Sequence, residues 1–164
     1  MNTRNKIVSL DVLREMLQAA RAYGRDVVLA NGIFDLLHVG HVRYLEAAKR
    51  EAAVLVVGIN SDSSARHLKG PGRPVMDERG RAELVAALEA VDSVVIFPEL
   101  NVEKLLEAIR PDVHAKGTDY TVDTVPERET AARLGIRVAI VGDPKQHSTS
   151  SLFAGLRGAA PPKS

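Results

Sequence analysis

Two histidines three residues apart, His38 and His41, lie in the stretch DVVLANGIFDLLHVGHVRYLEAAKR, residues 26–50. Read as a strand, a tight loop and a helix, this stretch sets both imidazoles on one side of a helix's first turn. A first turn also offers unpaired backbone N–H groups and the positive end of the helix dipole, which together seat phosphate. Gly40, between the two rings, has no Cβ, so a ligand can approach the backbone closely. Imidazole donates hydrogen bonds in either charge state. Donors held around a phosphorus under attack stabilise the charge building on its oxygens, and one such donor is worth roughly 10²–10³ in rate. Lys49, two to three turns further on, would add positive charge. A single histidine at a helix start is more often a cap or a satisfied polar residue. A pair at this spacing also suits a metal, but the chain has no cysteine and no third ligand at zinc-like spacing nearby. The composite NG-x-FD-x-x-H-x-G-H after a strand points to phosphate chemistry.

The elements that must hold these residues follow from apolar patterning. Val27, Val28, Leu29 and Ala30 form a buried strand, and Asn31-Gly32 is a turn signal. The following helix carries Val39, Val42, Leu45 and Ala48 as one buried face. Before this unit, Ser9 caps a helix that runs to about Tyr23, with Leu10, Leu13, Leu17 and Ala20 on one face and Gly24 at its end. After it, Val54–Ile59 is wholly apolar, as in a parallel sheet covered on both faces. Asn60-Ser61-Asp62 then either caps a helix over 62–68 or contacts a nucleotide at the carboxyl edge of the sheet.

The loop Lys69-Gly70-Pro71-Gly72-Arg73-Pro74 is basic. It is either plain surface or, through Lys69 and Arg73, a grip on an anionic second substrate. Asp77 caps a helix with Leu84, Val85 and Leu88 buried and with Arg81 solvated in its first turns. Val91–Phe97 is the next strand, and the helix over 101–109 stops at Arg110-Pro111. Asp112–Lys116 is a short strand with His114 as a packing residue. It leads into the turn Gly117-Thr118-Asp119-Tyr120, where Lys116 and Asp119 are candidate nucleotide contacts. A helix over 126–134 ends at Gly135, and Ile136–Val141 is the last strand. Ser148-Thr149-Ser150-Ser151 opens a helix through Leu156, and its hydroxyls are either caps or a second phosphate seat.

This alternation implies an α/β, Rossmann-like, doubly wound fold: a five-stranded, mainly parallel sheet with helices on both faces. The site is expected at the carboxyl ends of the strands, at a switch point. Residues 1–24 are expected as an N-terminal helix packed on the domain, 25–157 as the domain itself and 158–164 as a flexible tail. The chain has 164 residues, 45% hydrophobic, enough for one core. A net charge of +1 with no long run of one sign argues against general binding to nucleic acid or membrane surfaces. There is no apolar run near the roughly 18–20 residues of a membrane span, and the N-terminus lacks the apolar core of a secretion signal. With cysteine absent, the expectation is a cytoplasmic protein.

NGIFDLLHVGH resembles the HxGH motif of the cytidylyltransferase-like nucleotidyltransferases. From about Val28 to Leu156 the chain is similar to the adenylyltransferase domain of bacterial ADP-heptose synthases. The similarity rests on NGIFDLLHVGHVRYL, INSDSSARHLKGPGRPV, RAELVAALEAVD, RPDVHAKGTDY and HSTSSL. The resemblance implies transfer of AMP from ATP to D-glycero-D-manno-heptose 1-phosphate, giving ADP-heptose and pyrophosphate for a surface glycan. By motif, His38 and His41 would stabilise the α-phosphate, and Asn31, Gly32, Ile33, Phe34 and Asp35 would wrap the phosphates and their Mg²⁺. No protein side chain is assigned as a direct Mg²⁺ ligand. Lys49 would neutralise phosphate charge, Arg81 would meet the β- and γ-phosphates, and Ser148 and Thr149 would grip the triphosphate from the far side. Lys116, Gly117 and Asp119 would line the base and ribose pocket, with Asn60 and Asp62 as further nucleotide contacts. Asp35, Lys69 and Arg73 would serve the sugar phosphate.

Asp92 fits a family pattern and equally a helix-end cap. Thr118 stands where relatives often have Gly, Ser150 where they have Thr, His147 where they have Arg or Cys, and Ala30 where they have Thr. A CTP-dependent cytidylyltransferase for glycerol 3-phosphate and a nucleotide-binding module without turnover are the other readings. The family also suggests a homodimer.

Overall fold

The computed structural model describes residues 2–144 and residue 155. Ser148, Thr149 and the expected tail lie outside the described residues. Strands β1 (Val27–Gly32), β2 (Val54–Asn60), β3 (Ser93–Phe97), β4 (Val113–Gly117) and β5 (Arg137–Val141) form one sheet in the order β3-β2-β1-β4-β5. Every neighbouring pair is parallel, so the sheet is wholly rather than mainly parallel. The chain winds outward from β1 to β3, then returns to the other side of β1 with β4. The switch point therefore lies between β1 and β4.

Alternation along each strand divides the core in two. Val28, Ala30, Leu55, Val57 and Ile59 face helices α2 (Val39–Lys49) and α4 (Glu78–Ala86). Val27, Leu29, Val54 and Val56 face α1 (Leu10–Ala22), α5 (Glu103–Ile109) and α6 (Arg128–Leu134). Leu13 and Leu17 of α1 are fully part of the second layer. Just before α1, the Val8 amide donates to the Val94 carbonyl on the edge strand β3. Ser9, Ser61 and Asp77 cap α1, α3 (Asp62–Lys69) and α4 through their side chains. Among the described residues no helix is long and apolar enough to cross a membrane.

Local corrections have simple causes. Asn31 and Gly32 continue β1 instead of starting the turn, because β2 extends the ladder that far, with Gly32 opposite Ile59. On α2 Val39, Val42, Leu45 and Ala48 stand at intervals of three, and each such step drifts by about 60° around a 3.6-residue helix. Leu45 and Ala48 therefore reach the core, while Val39, three steps from Ala48, is 43% exposed. Leu84 is likewise exposed, since α4 turns Arg81, Ala82, Val85 and Ala86 to the sheet.

Candidate active site

A cleft of about 380 Å³ opens at the carboxyl edge of the sheet. Its floor is made of strand ends: Asn31 and Gly32 of β1, Asn60 of β2, Lys116 and Gly117 of β4 and Val141 of β5. His38, Gly40, His41, Arg43 and Tyr44, at the start of α2, form one wall. Thr118, Asp119 and Tyr120 form part of another, and Ile33, Lys69 and Gly142–Pro144 complete the rim.

The two imidazoles are organised by the helix they begin. His38 is the N-cap of α2, and its Nδ1 accepts from the Gly40 amide at 3.1 Å. His41 Nδ1 accepts from the His38 amide at 3.4 Å. The rings stack with centroids 3.9 Å apart and planes 25° apart. With each Nδ1 engaged as an acceptor, a neutral ring carries its proton on Nε2. The first-turn amides, expected as the phosphate seat, are therefore partly taken up by the rings.

Phe34, expected in contact with nucleotide, is 4% exposed and belongs to the core. Its ring lies 5.2 Å from that of His41 and props it. The loop between β1 and α2 holds Phe34 at φ 52° and Leu36 at φ 53°. Such left-handed conformations cost about 1–2 kcal/mol each in residues bearing a Cβ. Asp35 anchors the loop between them. Its carboxylate, 3% exposed, accepts from Arg73 Nε at 2.8 Å and from the amides of Val75 and Met76 at 3.0–3.2 Å. Burial opposes ionisation of Asp35, but these donors outweigh it and hold the carboxyl below its ordinary range.

Arg81 is buried rather than solvated, with no exposed surface. Its Nη1 donates to the Ile33 carbonyl, its Nη2 to Asp62 Oδ1 and its Nε to the Met76 carbonyl. Asp62 is the first residue of α3 and a partner of this fork, while Ser61 does the capping. Arg73, Arg81, Asp35 and Asp62 thus brace the wall behind the cleft and do not line it. Lys49 and Asp92 are not brought to the cleft either. Lys49 ends the eleven-residue α2, about 16 Å along the axis from His38 and about 12 Å from His41. There it pairs with Asp92 at 2.5 Å, and the same Asp92 oxygen accepts from the Leu55 amide at the start of β2.

On the other side of the switch point, Lys116 is 7% exposed and its Nζ lies 3.5 Å from Glu127 Oε2 and 4.8 Å from the Tyr120 ring centroid. The Tyr44 hydroxyl donates to the Ala115 carbonyl at 2.8 Å and ties α2 to β4, and burial pushes its pKa up. Sequence reasoning missed Tyr44, Arg43, Thr118, Tyr120 and residues 141–144. Tyr44 stands three residues beyond His41 on the same helix side, and residues 141–144 lie at a strand's carboxyl end. Both signals were readable. Glu127 gave no local signal.

The sequence profile of the family described as cytidylyltransferase-like matches residues 29–151. The chain belongs to the cytidylyltransferase-like family. It is thereby a nucleotidyltransferase, and the matched region runs from β1 past the whole cleft. This cytidylyltransferase-like chain is 44% identical over 149 residues to the bifunctional protein HldE of Syntrophotalea carbinolica, covering 91% of this chain and 30% of that protein. It is 46% identical over 148 residues to HldE of Geobacter sulfurreducens, covering 90% and 30%. It is 46% identical over 152 residues to HldE of Methylobacillus flagellatus, covering 93% and 31%. The chain thus spans about 30% of the length of these relatives. Among solved structures it is similar to the lipopolysaccharide core biosynthesis protein from Thermoplasma volcanium GSS1. The TM-score is 0.64 at 28% identity, covering 74% of this chain and 100% of that one.

Proposed function

We propose that this nucleotidyltransferase transfers AMP from ATP to D-glycero-D-manno-heptose 1-phosphate. A phosphate oxygen of the sugar attacks the α-phosphorus in line, the new O–P bond forms, and the bond to the β-phosphate breaks. The products are ADP-heptose and pyrophosphate. The observation that carries this reading is the stacked His38–His41 pair, with both Nδ1 atoms held by backbone amides inside a cleft at the strands' carboxyl ends. The Nε2–H groups are then aimed donors for the α-phosphate, worth more where charge develops than in the ground state. Similarity to the HldE proteins over nine-tenths of the chain supports the choice of ADP-heptose chemistry.

In this reading Lys116, Gly117 and Asp119 serve the nucleotide from β4, with Asn31 and Asn60 beneath it. Lys69 meets the sugar phosphate at the rim. Asp35, Arg73 and Arg81 keep the histidine loop in place without touching substrate. Mg²⁺ would travel with the nucleotide, because both oxygens of Asp35 are already claimed by Arg73, Val75 and Met76. Among the described residues no group of three His, Asp or Glu side chains could form a cage for it. When bound to the triphosphate, the ion supplies charge neutralisation for the leaving pyrophosphate.

The test is a screen of ATP and CTP against heptose 1-phosphate anomers and glycerol 3-phosphate, with mass detection of the product. Formation of ADP-heptose is expected. Turnover of CTP with glycerol 3-phosphate would replace this reading with the cytidylyltransferase one, and nucleotide binding without any product would remove turnover altogether.

A further inference from the structure

His114 lies wholly inside the sheet, on β4 opposite Leu29 of β1, on the layer packed by α1, α5 and α6. Its Nε2 is 3.0 Å from Asn31 Oδ1, two residues along β1 on the same face. Its Nδ1 is buried with no partner among the described residues. Packing alone gives no account of an imidazole here. A leucine would fill similar space without an unpaired polar atom, which costs about 1–3 kcal/mol. The one thing the ring does is grip an amide that lines the cleft.

We infer that His114 is a positioning residue that fixes which end of the Asn31 amide faces the nucleotide. The inference rests on the nucleotide-transfer reading of the cleft. Burial, aided by the charge of Lys116, lowers the His114 pKa to about 3, so the ring is neutral near pH 7 and carries one proton. A proton on Nε2 makes the hydrogen bond to Asn31 Oδ1. A proton on Nδ1 would leave a buried N–H unsatisfied, the rarer and costlier arrangement. Nε2–H therefore holds Oδ1 inward. The Asn31 Nδ2 has no partner among the described residues and becomes the end presented to the cleft. There its two N–H groups suit the acceptor oxygens of a nucleotide. A reversed amide would instead turn a carbonyl oxygen toward phosphate and repel it. This is the logic by which outer-layer partners orient the groups that touch a ligand, and their loss commonly costs roughly 10–100-fold.

The experiment compares the full chain with H114L, H114Q, N31A and the N31A/H114L double variant. ATP-dependent product formation and thermal midpoints are measured for each. We expect H114L to fold with an unchanged or higher midpoint yet lose roughly tenfold or more in kcat/KM for ATP. H114Q, whose side-chain amide can donate to Oδ1, should recover most of that loss. In the N31A background H114L should cost nothing further, because the amide it orients is gone. Nitrogen NMR of the imidazole should report a proton on Nε2. Wild-type kinetics in H114L, independent multiplication of the two single losses, or a proton on Nδ1 would each overturn the inference. A full chain that turns over no nucleotide at all would instead defeat the functional reading, and the tautomer would still decide the positioning claim.

Discussion

Arg81 Nη1 sits 2.5 Å from the carbonyl oxygen of Ile33, at the point where β1 leaves the sheet for the histidine loop. The same guanidinium reaches Asp62 at 2.9 Å and the Met76 carbonyl at 3.1 Å, so one planar fork joins three separate chain segments. A lysine has one nitrogen and cannot span them. Arg81→Lys and Arg81→Met should therefore destabilise the fold by about 2–3 kcal/mol, because the Ile33 and Met76 carbonyls lose a buried charged donor while Asp62 stays partly in water. Activity should fall together with stability, and urea unfolding measured beside kinetics checks this. A large loss of turnover with an unchanged unfolding midpoint would mean that Arg81 meets substrate directly.

The histidine pair makes the opposite separation. His38 caps α2, and asparagine is also a favoured cap, so His38→Asn should keep stability within about 1 kcal/mol. It removes the imidazole Nε2–H, however, and turnover should drop roughly 10²–10³-fold. Nucleotide affinity should fall less, by under about tenfold, since these donors act most on the developing charge. His41→Ala should behave similarly in turnover and lose its bond to the His38 amide as well. Steady-state kinetics with calorimetric ATP binding distinguish the two effects.

Asp35 gives a pH signature. Its folded pKa is depressed from 3.8, because hydrogen bonds from Val75, Met76 and Arg73 overcome the cost of burial. A depressed carboxyl contributes stability that is fully present above the unfolded value. That contribution is lost as the pH falls below about 3.8 through the folded value. Asp35→Asn should cost roughly 3 kcal/mol near pH 7, and the gap from wild type should close below pH 4. Unfolding midpoints of both proteins from pH 7 to pH 3 read this directly. A gap independent of pH would show that the loop is held by something other than the carboxylate.

Which parts of the molecule were legible in the sequence follows the range of the interactions. The unbroken apolar runs 27–30 and 54–59 and the helix caps at Ser9 and Asp77 are local, and local patterns are visible in a string. So is the juxtaposition of His38 with His41. The placements of Arg81 against Ile33, of Asp35 against Arg73–Met76 and of Lys49 against Asp92 were not visible, because these partners lie 48, 38–41 and 43 residues away in sequence. A charged residue carries no mark saying whether it will face a ligand or a buried carbonyl. Asn31 shows the middle case. Its motif placed it near phosphate, but the His114 that orients it reads locally as an ordinary core residue of β4.

Lys116, which lines the cleft, and Glu127 behind it form a buried charged pair, with side chains 9% and 6% exposed and 3.5 Å between Nζ and Oε2. Glu127 Oε2 has no hydrogen-bond partner among the described residues, so the pair is held by charge and little else. Removing either member strands the other with little access to water, at a cost of about 3–5 kcal/mol. Replacing both by neutral residues of similar size removes that penalty. Lys116→Met and Glu127→Gln should each lower the unfolding midpoint sharply, and the double variant should recover most of it. Kinetics should not follow the same pattern. Lys116 lines the cleft and Glu127 does not, so the double variant should keep the nucleotide defect of Lys116→Met while regaining its stability. A double variant that recovered both would make Lys116 a structural partner of Glu127 with no part in holding nucleotide.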